Sequence, residues 1–242
     1  MLEPRRELPK LTDRYALGNG LEVSPFCLGL VNDPAIVSAA YEAGINFFFV
    51  SADMHWPVYE QTRRGIVQLL ADKPSARDSI VVGLVSYVTQ PEFCWMPFQE
   101  VLEEMPALGR VDMTIAGGSY GNEIGRRLGI YKQHKDSGYL GVRATGATFH
   151  ERAAMLPILD DARVDMAFVR YNPVHPGAAK DLFPNVRDDH PLLYNFKSTF
   201  GHLTDDDYAP LGVGPDFWRP HPTDRSHLPT LVLPLHLGAL GD

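Results

Sequence analysis

The clearest feature of the sequence is a regular alternation of two kinds of segment between about residues 23 and 196. Short apolar runs rich in β-branched residues alternate with longer amphipathic stretches. This order is typical of parallel strands joined by crossover helices. The seven predicted strands are 23–30, 45–50, 80–85, 111–116, 142–147, 164–169 and 192–196.

The amphipathic stretches carry apolar residues three and four positions apart, as a helix packed on one side requires. The clearest predicted helices are 34–43, 59–70, 97–105, 122–134 and 150–159. Seven strand–helix units in 242 residues indicate an α/β fold of the (β/α)8 TIM-barrel-like class, which typically needs about 250 residues.

The eighth strand–helix unit departs from this pattern. After Gly201 the chain becomes acidic and then rich in Pro, Gly and His, and the apolar stretch 228–237 contains prolines. Proline lacks a backbone donor and suits only a sheet edge or an irregular segment. We expect one domain over 1–242, with an N-terminal extension at 1–14, an irregular tail at 204–242 and a barrel incomplete at its eighth unit. Because an unclosed barrel exposes two edges, a homo- or hetero-oligomer is one expected cover for the gap.

Composition narrows the classes of function. Thirty acidic residues against 22 basic residues give a net charge of -8, which disfavours the basic surface that nucleic-acid binding needs. The first residues contain no long apolar run of the kind found in signal peptides or membrane spans. We therefore expect a cytoplasmic protein that acts on a small molecule, without nucleic-acid or membrane partners. The two cysteines, Cys27 and Cys94, form neither a disulfide framework nor a metal motif.

The second predicted strand carries the most informative motif. It reads Gly44-Ile45-Asn46-Phe47-Phe48-Phe49-Val50-Ser51-Ala52-Asp53-Met54-His55 and resembles the pattern G-x-N-F-F-D-T-A-D-x-Y of aldo-keto reductases. Residues 140–150 are similar to the fifth-strand pattern R-x-I-G-x-S-x-H, 164–173 to D-x-V-Q-x-x-Y-N-P, and 196–201 to Y-S-P-L-G. These matches occur in the family's order and cover about residues 15–203.

The resemblance implies an aldo-keto reductase barrel. In that family a Tyr donates a proton, an Asp and a Lys tune the Tyr, a His orients the substrate carbonyl, and a nicotinamide dinucleotide supplies hydride. Here the Tyr position holds His55, the Asp position Phe49 or Val50, the Lys position Gly83 and the His position Gly117. General-acid catalysis alone contributes about 10²–10⁴-fold, so the sequence does not predict conventional carbonyl reduction.

The cofactor positions implied by the resemblance are also changed. Thr148, Asn172 and Ser198 remain as polar contacts, but Phe168 stands where the family has a carboxamide-binding Gln. The tail lacks the K-S-x-x-x-x-R cluster that grips the adenosine phosphate. We expect no tightly bound cofactor, and only weak binding of NADP(H). The spacings of His and Asp match no compact metal motif, so no metal site is predicted.

Functional residues of such barrels lie at the carboxyl ends of the strands. Asp53 and His55 are two residues apart, so on an extended backbone they point the same way and can form an acid–base pair. The alternative is that Asp53 caps the next helix while His55 packs beside Trp56. The predicted catalytic residues are His55, Asp53, His175, Tyr171 and Lys197. The predicted substrate-binding residues are Trp56, Tyr87, Trp95, Thr148, His150, Arg170, Asn172 and Asn195.

Three functions follow from these patterns. The leading hypothesis is non-redox acid–base chemistry, such as cyclisation, elimination or isomerisation, on a small and partly hydrophobic molecule. It rests on the changed reductase positions beside a polar barrel mouth. The second is an NAD(P)H-dependent oxidoreductase with His55 as the proton donor. The third is a non-catalytic binding or scaffold subunit that docks through an open barrel edge.

Overall fold

The computed structural model describes residues 9–118, 123–171, 177–196 and 231–232. Its strands are β1 (Tyr15–Ala16), β2 (Glu22–Val23), β3 (Cys27–Leu28), β4 (Phe47–Ser51), β5 (Val81–Ser86), β6 (Met113–Ala116), β7 (Ala144–Phe149), β8 (Met166–Arg170), β9 (Leu192–Phe196) and β10 (Leu231–Val232). Its α-helices are α1 (Ala35–Glu42), α2 (Glu60–Asp72), α3 (Met96–Glu104), α4 (Glu123–Ser137), α5 (Arg152–Leu159) and α6 (Ala178–Asp181). No helix among the described residues is both long and apolar enough to cross a membrane.

Strands β3 to β9 lie side by side in chain order, and each runs parallel to its neighbours. Between successive strands from β3 to β9 the chain forms helix, with α1 to α6 following in order. This arrangement confirms the expected α/β fold of the barrel class. The carboxyl ends of the seven strands therefore share one end of the sheet, called the mouth below.

The predicted strand 23–30 is wrong in detail, because the structure divides it. Val23 ends β2, which pairs antiparallel with β1, while Cys27 begins β3 in the main sheet. Pro25 interrupts the run, and the Ser24 hydroxyl donates to the carbonyl of Phe26 at 2.6 Å. The β1–β2 hairpin was not predicted. Leu17, Leu21 and Val23 in and beside it are buried in the inner core.

The sheet separates two apolar cores, and its side chains alternate between them. Phe48 and Val50 of β4 belong to the outer core between sheet and helices, whereas Phe47 belongs to the inner core. The same alternation continues along β8, where Ala167 and Val169 face outward. The inner core includes Val81, Val85, Met113, Ile115, Ala144, Met166, Phe168 and Tyr194.

The eighth position of the barrel is occupied in an irregular way. β10 pairs antiparallel with β3, joining Leu231 to Leu28 and Val232 to Cys27, and its Cα atoms also come within 8 Å of β9. In the described part of the chain seven strands run parallel and a short antiparallel strand stands beside the first of them, which agrees with the expected departure of the eighth unit from the barrel pattern. The tail 204–242 was expected to be irregular, but Leu231–Val232 forms a short strand, so the expectation is wrong at these two residues.

Charged groups at the opposite end of the sheet have structural partners. Buried Asp112 precedes β6, forms ion pairs with Arg77 and Arg110, and accepts from the amide of Val82 at 2.9 Å. Asp165 precedes β8 and pairs with Lys135 at 2.7 Å. Residues at the amino ends of barrel strands usually serve stability, so the search for a site turns to the mouth.

Candidate functional site

The mouth is lined by inward-facing residues at or near the carboxyl ends of the strands. Phe49, Tyr87 and Phe196 pack against the inner core, and the alternation of the strands places three further residues beside them. These three are Ser51 on β4, Thr148 on β7 and Arg170 on β8. The Ser51 hydroxyl is buried and has no hydrogen-bond partner in the described part of the chain. The mouth therefore has an aromatic floor and a polar rim.

Asp53 links the carboxyl ends of β4 and β5 by hydrogen bonds at the rim of the mouth. Its Oδ2 accepts from the Ser86 hydroxyl at 2.8 Å and from the Tyr87 amide at 2.7 Å, and its Oδ1 accepts from the Met54 amide at 2.7 Å. Asp53 forms no ion pair with His55 within 4.0 Å in the described structure. It does not cap the turn at Trp56–Tyr59 either. Both sequence-based placements of the carboxylate therefore differ from the structure.

The His55 ring contacts the ring of Tyr87 and not the carboxylate of Asp53. The two rings meet edge to face with centroids 4.6 Å apart, and the imidazole is exposed to solvent. Asp53 reaches His55 only indirectly, because it holds the backbone of the residue on which the imidazole rests. The acid–base role of His55 remains a prediction, and the residue against which its ring packs is Tyr87.

Tyr59 joins this group, although the sequence did not single it out as a site residue. Its ring lies 6.1 Å from that of Phe49. Burial raises the pKa of Tyr59, with a smaller contribution from nearby Tyr87, so the phenol stays protonated at neutral pH. The signal in the sequence was its position one helical turn after His55.

The far side of the mouth is formed by β7, β8 and β9. The Thr148 hydroxyl accepts from the amide of Gly118 at 3.2 Å. The rings of His150 and Phe196 meet edge to face at 5.1 Å, and Phe196 is the register partner of Arg170. Predicted residues Thr148, His150 and Arg170 thus occur together on this side.

Two more predicted residues lie at the end of β8 and β9. Asn195 Oδ1 accepts from the amide of Tyr171 at 3.0 Å, while the buried Asn195 Nδ2 has no partner in the described structure. The Tyr171 ring packs on Phe183 at 5.0 Å, and burial raises its pKa. Asn195 therefore holds the backbone of Tyr171, and the phenol of Tyr171 lies on the outer side.

Two predicted aromatic residues do not face the barrel. Trp95 packs on the outside between α3 and α4, with ring centroids 5.8 Å from Tyr139 and 6.0 Å from His134. Trp56 stacks with Arg63 of α2 and lines a surface cavity of about 590 Å³. A smaller cavity of about 200 Å³ lies behind Asp53 and is bordered by α3. The sequence alone does not distinguish an aromatic loop residue that faces the barrel from one that faces outward.

Four predicted residues, His175, Lys197, Asn172 and Ser198, lie outside the described residues. Their predicted roles remain predictions. Within the described residues, no group of three His, Cys, Asp or Glu side chains is placed to hold a metal ion.

A buried arginine, which no sequence pattern indicated, supports the mouth from outside the sheet. Arg127 of α4 is only 1% exposed. It donates to the carbonyl oxygens of Gly117 at 3.0 Å and Ser86 at 2.8 Å. Ser86 is the same residue whose hydroxyl donates to Asp53. The guanidinium and the carboxylate are therefore joined through one serine.

Comparison with solved structures relates this geometry to known proteins. No family model matches the sequence, and no curated protein matches it. An aldo-keto reductase of Bombyx mori, solved in complex with NADP, aligns at a TM-score of 0.62 and 16% identity, over 80% of this chain and 68% of that one. The chain has the aldo-keto reductase fold. A Pseudomonas aeruginosa protein assigned to the aldo-keto reductases aligns at a TM-score of 0.53 and 22% identity, over 72% and 77% of the two chains.

Within the aldo-keto reductase fold, four of the positions singled out in the sequence face the barrel interior, namely Phe49, Gly83, Gly117 and Phe168. Phe49 lies on the inner face and Val50 on the outer one, and Phe49 meets Phe168 edge to face at 5.3 Å. A Cβ at Gly83 would lie 2.9 Å from Ile115 Cδ1, and a Cβ at Gly117 would lie 2.8 Å from Tyr87 and Val85. Neighbouring side chains thus fill the space in front of both glycines, and the interior at these four positions is apolar.

Proposed function

We propose that this aldo-keto-reductase-like protein is an enzyme of non-redox acid–base chemistry, such as cyclisation, elimination or isomerisation. Its proposed substrate is a small and partly hydrophobic molecule. The observation that carries the proposal is the contrast between the barrel interior and its rim. Phe49, Gly83, Gly117 and Phe168 leave the interior without an acid or base at those positions, whereas Asp53, His55 and Tyr59 gather at the rim.

His55 is the proposed proton carrier. Imidazole is the side chain best suited to take up and release protons near neutral pH, and this one is exposed above Tyr87. Asp53 is a positioning residue in this scheme, because its carboxylate holds the Tyr87 amide. His175 and Lys197 keep their proposed role in positioning the substrate, whereas Tyr171, whose ring packs on Phe183 on the outer side, loses it.

The hydroxyl groups near His55 suit the binding of a neutral oxygen on the substrate. The raised pKa of Tyr59 keeps its proton available for donation, and the Ser51 hydroxyl has no protein partner in the described structure. Beneath them, Phe49 and Phe168 supply an apolar surface that excludes water from the reacting part of the substrate.

The test is substitution of His55 with a matched control. The substrate is first sought by mass spectrometry of small molecules that co-purify with the protein, and its turnover is then measured without added nicotinamide. We expect His55→Ala to lower kcat by about 10²–10³-fold, as for loss of a general acid or base. Substitution of the outer residue His134 by Gln should leave kcat unchanged. Equal turnover by the wild type and His55→Ala would remove His55 from the mechanism.

The second candidate is an NADP(H)-dependent oxidoreductase with His55 as proton donor. It is favoured by the fold shared with the Bombyx mori enzyme, which was solved with NADP. Toward a nicotinamide, this chain offers the Thr148 hydroxyl on the inner face of β7. Phe168, only 1% exposed and packed on Phe49, offers no hydrogen bond where the family has a Gln. The described residues therefore do not fit a tightly held nicotinamide, and no hydride step is assigned to them.

Titration with NADPH and NADH separates the two candidates. Cofactor binding near Trp56, Tyr59 and Tyr87 would change the protein's intrinsic fluorescence. On the leading proposal we expect no saturable change up to millimolar concentrations of either cofactor. Saturation at micromolar NADPH, together with substrate-dependent oxidation of the cofactor, would favour the oxidoreductase.

A further inference from the structure

One arginine at the mouth, Arg170, has a side chain without a polar partner among the described residues. Arg170 ends β8, and its side chain is only partly exposed. Met166 and Phe168 of the same strand belong to the inner core, so the alternation of β8 turns Arg170 toward the interior as well. Within the described part of the chain, the guanidinium of Arg170 has no hydrogen bond or ion pair.

Most other arginines of the described chain do have such partners, and the contrast is informative. Arg152 pairs with Asp181, Arg163 with Asp161 and Arg187 with Asp160, each at 2.6 Å. Even the fully buried Arg127 has two carbonyl oxygens. Partial burial of a guanidinium carries a desolvation cost that a partner normally offsets. A ligand is the natural source of that partner at a barrel mouth.

The surroundings of Arg170 suit an anion attached to an apolar body. Phe196 is its register partner on β9, and the His150 ring lies against Phe196 at 5.1 Å. Thr148 faces the same interior from β7, and the Phe49–Phe168 pair forms the apolar floor. Asp53, an acidic group of the mouth, lies at the ends of β4 and β5, where its oxygens already accept three hydrogen bonds.

We infer that Arg170 binds an oxyanion of the substrate, a carboxylate or a phosphate, while the apolar part of the molecule rests on Phe49, Phe168 and Phe196. Guanidinium binds both oxyanions through two parallel hydrogen bonds, a geometry that Lys does not reproduce. This inference deepens the proposed function and rests on it for the reacting end of the molecule. The substrate lies across the mouth, with its anionic end at β8 and its reacting end at His55.

The test measures binding and needs no turnover. Benzoate and phenyl phosphate are the oxyanion probes, and benzamide is the neutral control of similar shape. Each is titrated while backbone amide resonances are followed by NMR. We expect one of the two oxyanions to bind the wild type saturably, and benzamide to bind at least tenfold more weakly. In Arg170→Met the dissociation constant of that oxyanion should rise about 10- to 100-fold, as expected for loss of charged hydrogen bonds.

Two further variants control for charge and for folding. Arg170→Lys keeps the charge without the two-point geometry and should give an intermediate affinity. Arg126→Gln removes an exposed arginine of α4 that pairs with Glu92, and it should bind like the wild type. Equal oxyanion affinity in wild type and Arg170→Met, equal affinity for benzamide and benzoate, or no saturable binding to the wild type would each overturn the inference. If Arg170→Met fails to fold, the comparison of Arg170→Lys with Arg126→Gln decides.

The result of this binding test can be distinguished from the result of the His55 turnover test. His55 stands on Tyr87 after β5, on the opposite side of the mouth from β8. His55→Ala should therefore keep its oxyanion affinity. Loss of binding in Arg170→Met together with unchanged turnover in His55→Ala would preserve the oxyanion site and remove the acid–base role.

Discussion

At the scale of single residues, two glycines allow the barrel interior to be apolar. At Gly83 the missing side chain leaves room for Ile115 and Phe47, and at Gly117 for Tyr87 and Val85. Packing at crystal-like density means that an added carbon must displace one of these neighbours. The two positions that the sequence resemblance assigns to the reductase Lys and His are therefore also positions where the interior closes.

A double-mutant experiment tests this packing. Gly83→Ala should destabilise the protein by about 1–3 kcal/mol because its Cβ meets Ile115 Cδ1. Ile115→Val removes that carbon, so the double variant should be more stable than the sum of the two single effects by about 0.5 kcal/mol or more. Ile66→Val in the outer core is the control partner and should add independently. Urea denaturation is measured for the wild type and all five variants, and strict additivity in both pairs would refute the contact.

The sequence predicted where site residues lie along the chain better than it predicted their partners. Asp53 was correctly placed after β4, but its acceptor contacts reach Ser86 and Tyr87, which belong to another strand. Arg127 lies on an amphipathic helix, where an arginine reads as a surface residue. Contacts of this kind depend on three-dimensional packing and leave no local pattern.

At the scale of elements, helix α2 packs closely on α1 at one glycine. A Cβ at Gly65 would lie 2.5 Å from the carbonyl oxygen of Pro34, and it would also overlap Val37. A backbone carbonyl cannot rotate away as a side chain does. Gly65 thus sets the distance between the two helices beside the loop that carries His55.

Two glycine substitutions should change stability in opposite directions. Gly129 of α4 has its nearest neighbour, Arg163 Nη1, at 3.7 Å, so Gly129→Ala should stabilise by about 0.5–1 kcal/mol through helix propensity. Gly65→Ala gains the same propensity but should be destabilising by about 1 kcal/mol or more. Thermal unfolding followed by circular dichroism gives both signs. A stabilising Gly65→Ala would contradict the close approach.

Element boundaries were predicted to within about two residues for most strands, and the errors have a common direction. Predicted strands 142–147 and 164–169 became Ala144–Phe149 and Met166–Arg170. The apolar residues that begin each run, such as Val142 and Val164, are buried before strand pairing starts. A run of hydrophobic residues indicates where the chain is buried, whereas a strand begins where its backbone pairs with a neighbour. The predicted and observed strand boundaries therefore differ.

At the scale of the whole molecule, β10 joins the end of the chain to its first barrel strand. The fold class was predictable because it depends on a repeated pattern of strands and helices. The antiparallel return of Leu231–Val232 to β3 was not, because a two-residue strand among prolines carries no periodic signal. Its contribution to stability is the pairing and cover that it gives to β3.

Two truncations isolate the effect of β10. A chain ending at residue 232 keeps Leu231–Val232, and a chain ending at residue 230 loses it. The shorter chain should unfold at lower urea concentration and should self-associate through the unpaired edge of β3. Sedimentation velocity gives the association state of each. Identical unfolding midpoints and masses would show that β10 adds nothing to the fold.

The link from Arg127 through Ser86 to Asp53 also has a dynamic consequence. If α4 detaches for a moment, the carbonyls of Ser86 and Gly117 lose the Arg127 donor, and the serine that holds Asp53 keeps only the Gly117 amide on its carbonyl. Segments linked in this way tend to open as one cooperative unit. The amide of Tyr87 should therefore exchange its hydrogen at a rate similar to that of the α4 amides. The opening rate of this outer helix then limits how long the Tyr87 ring stays in place beneath His55.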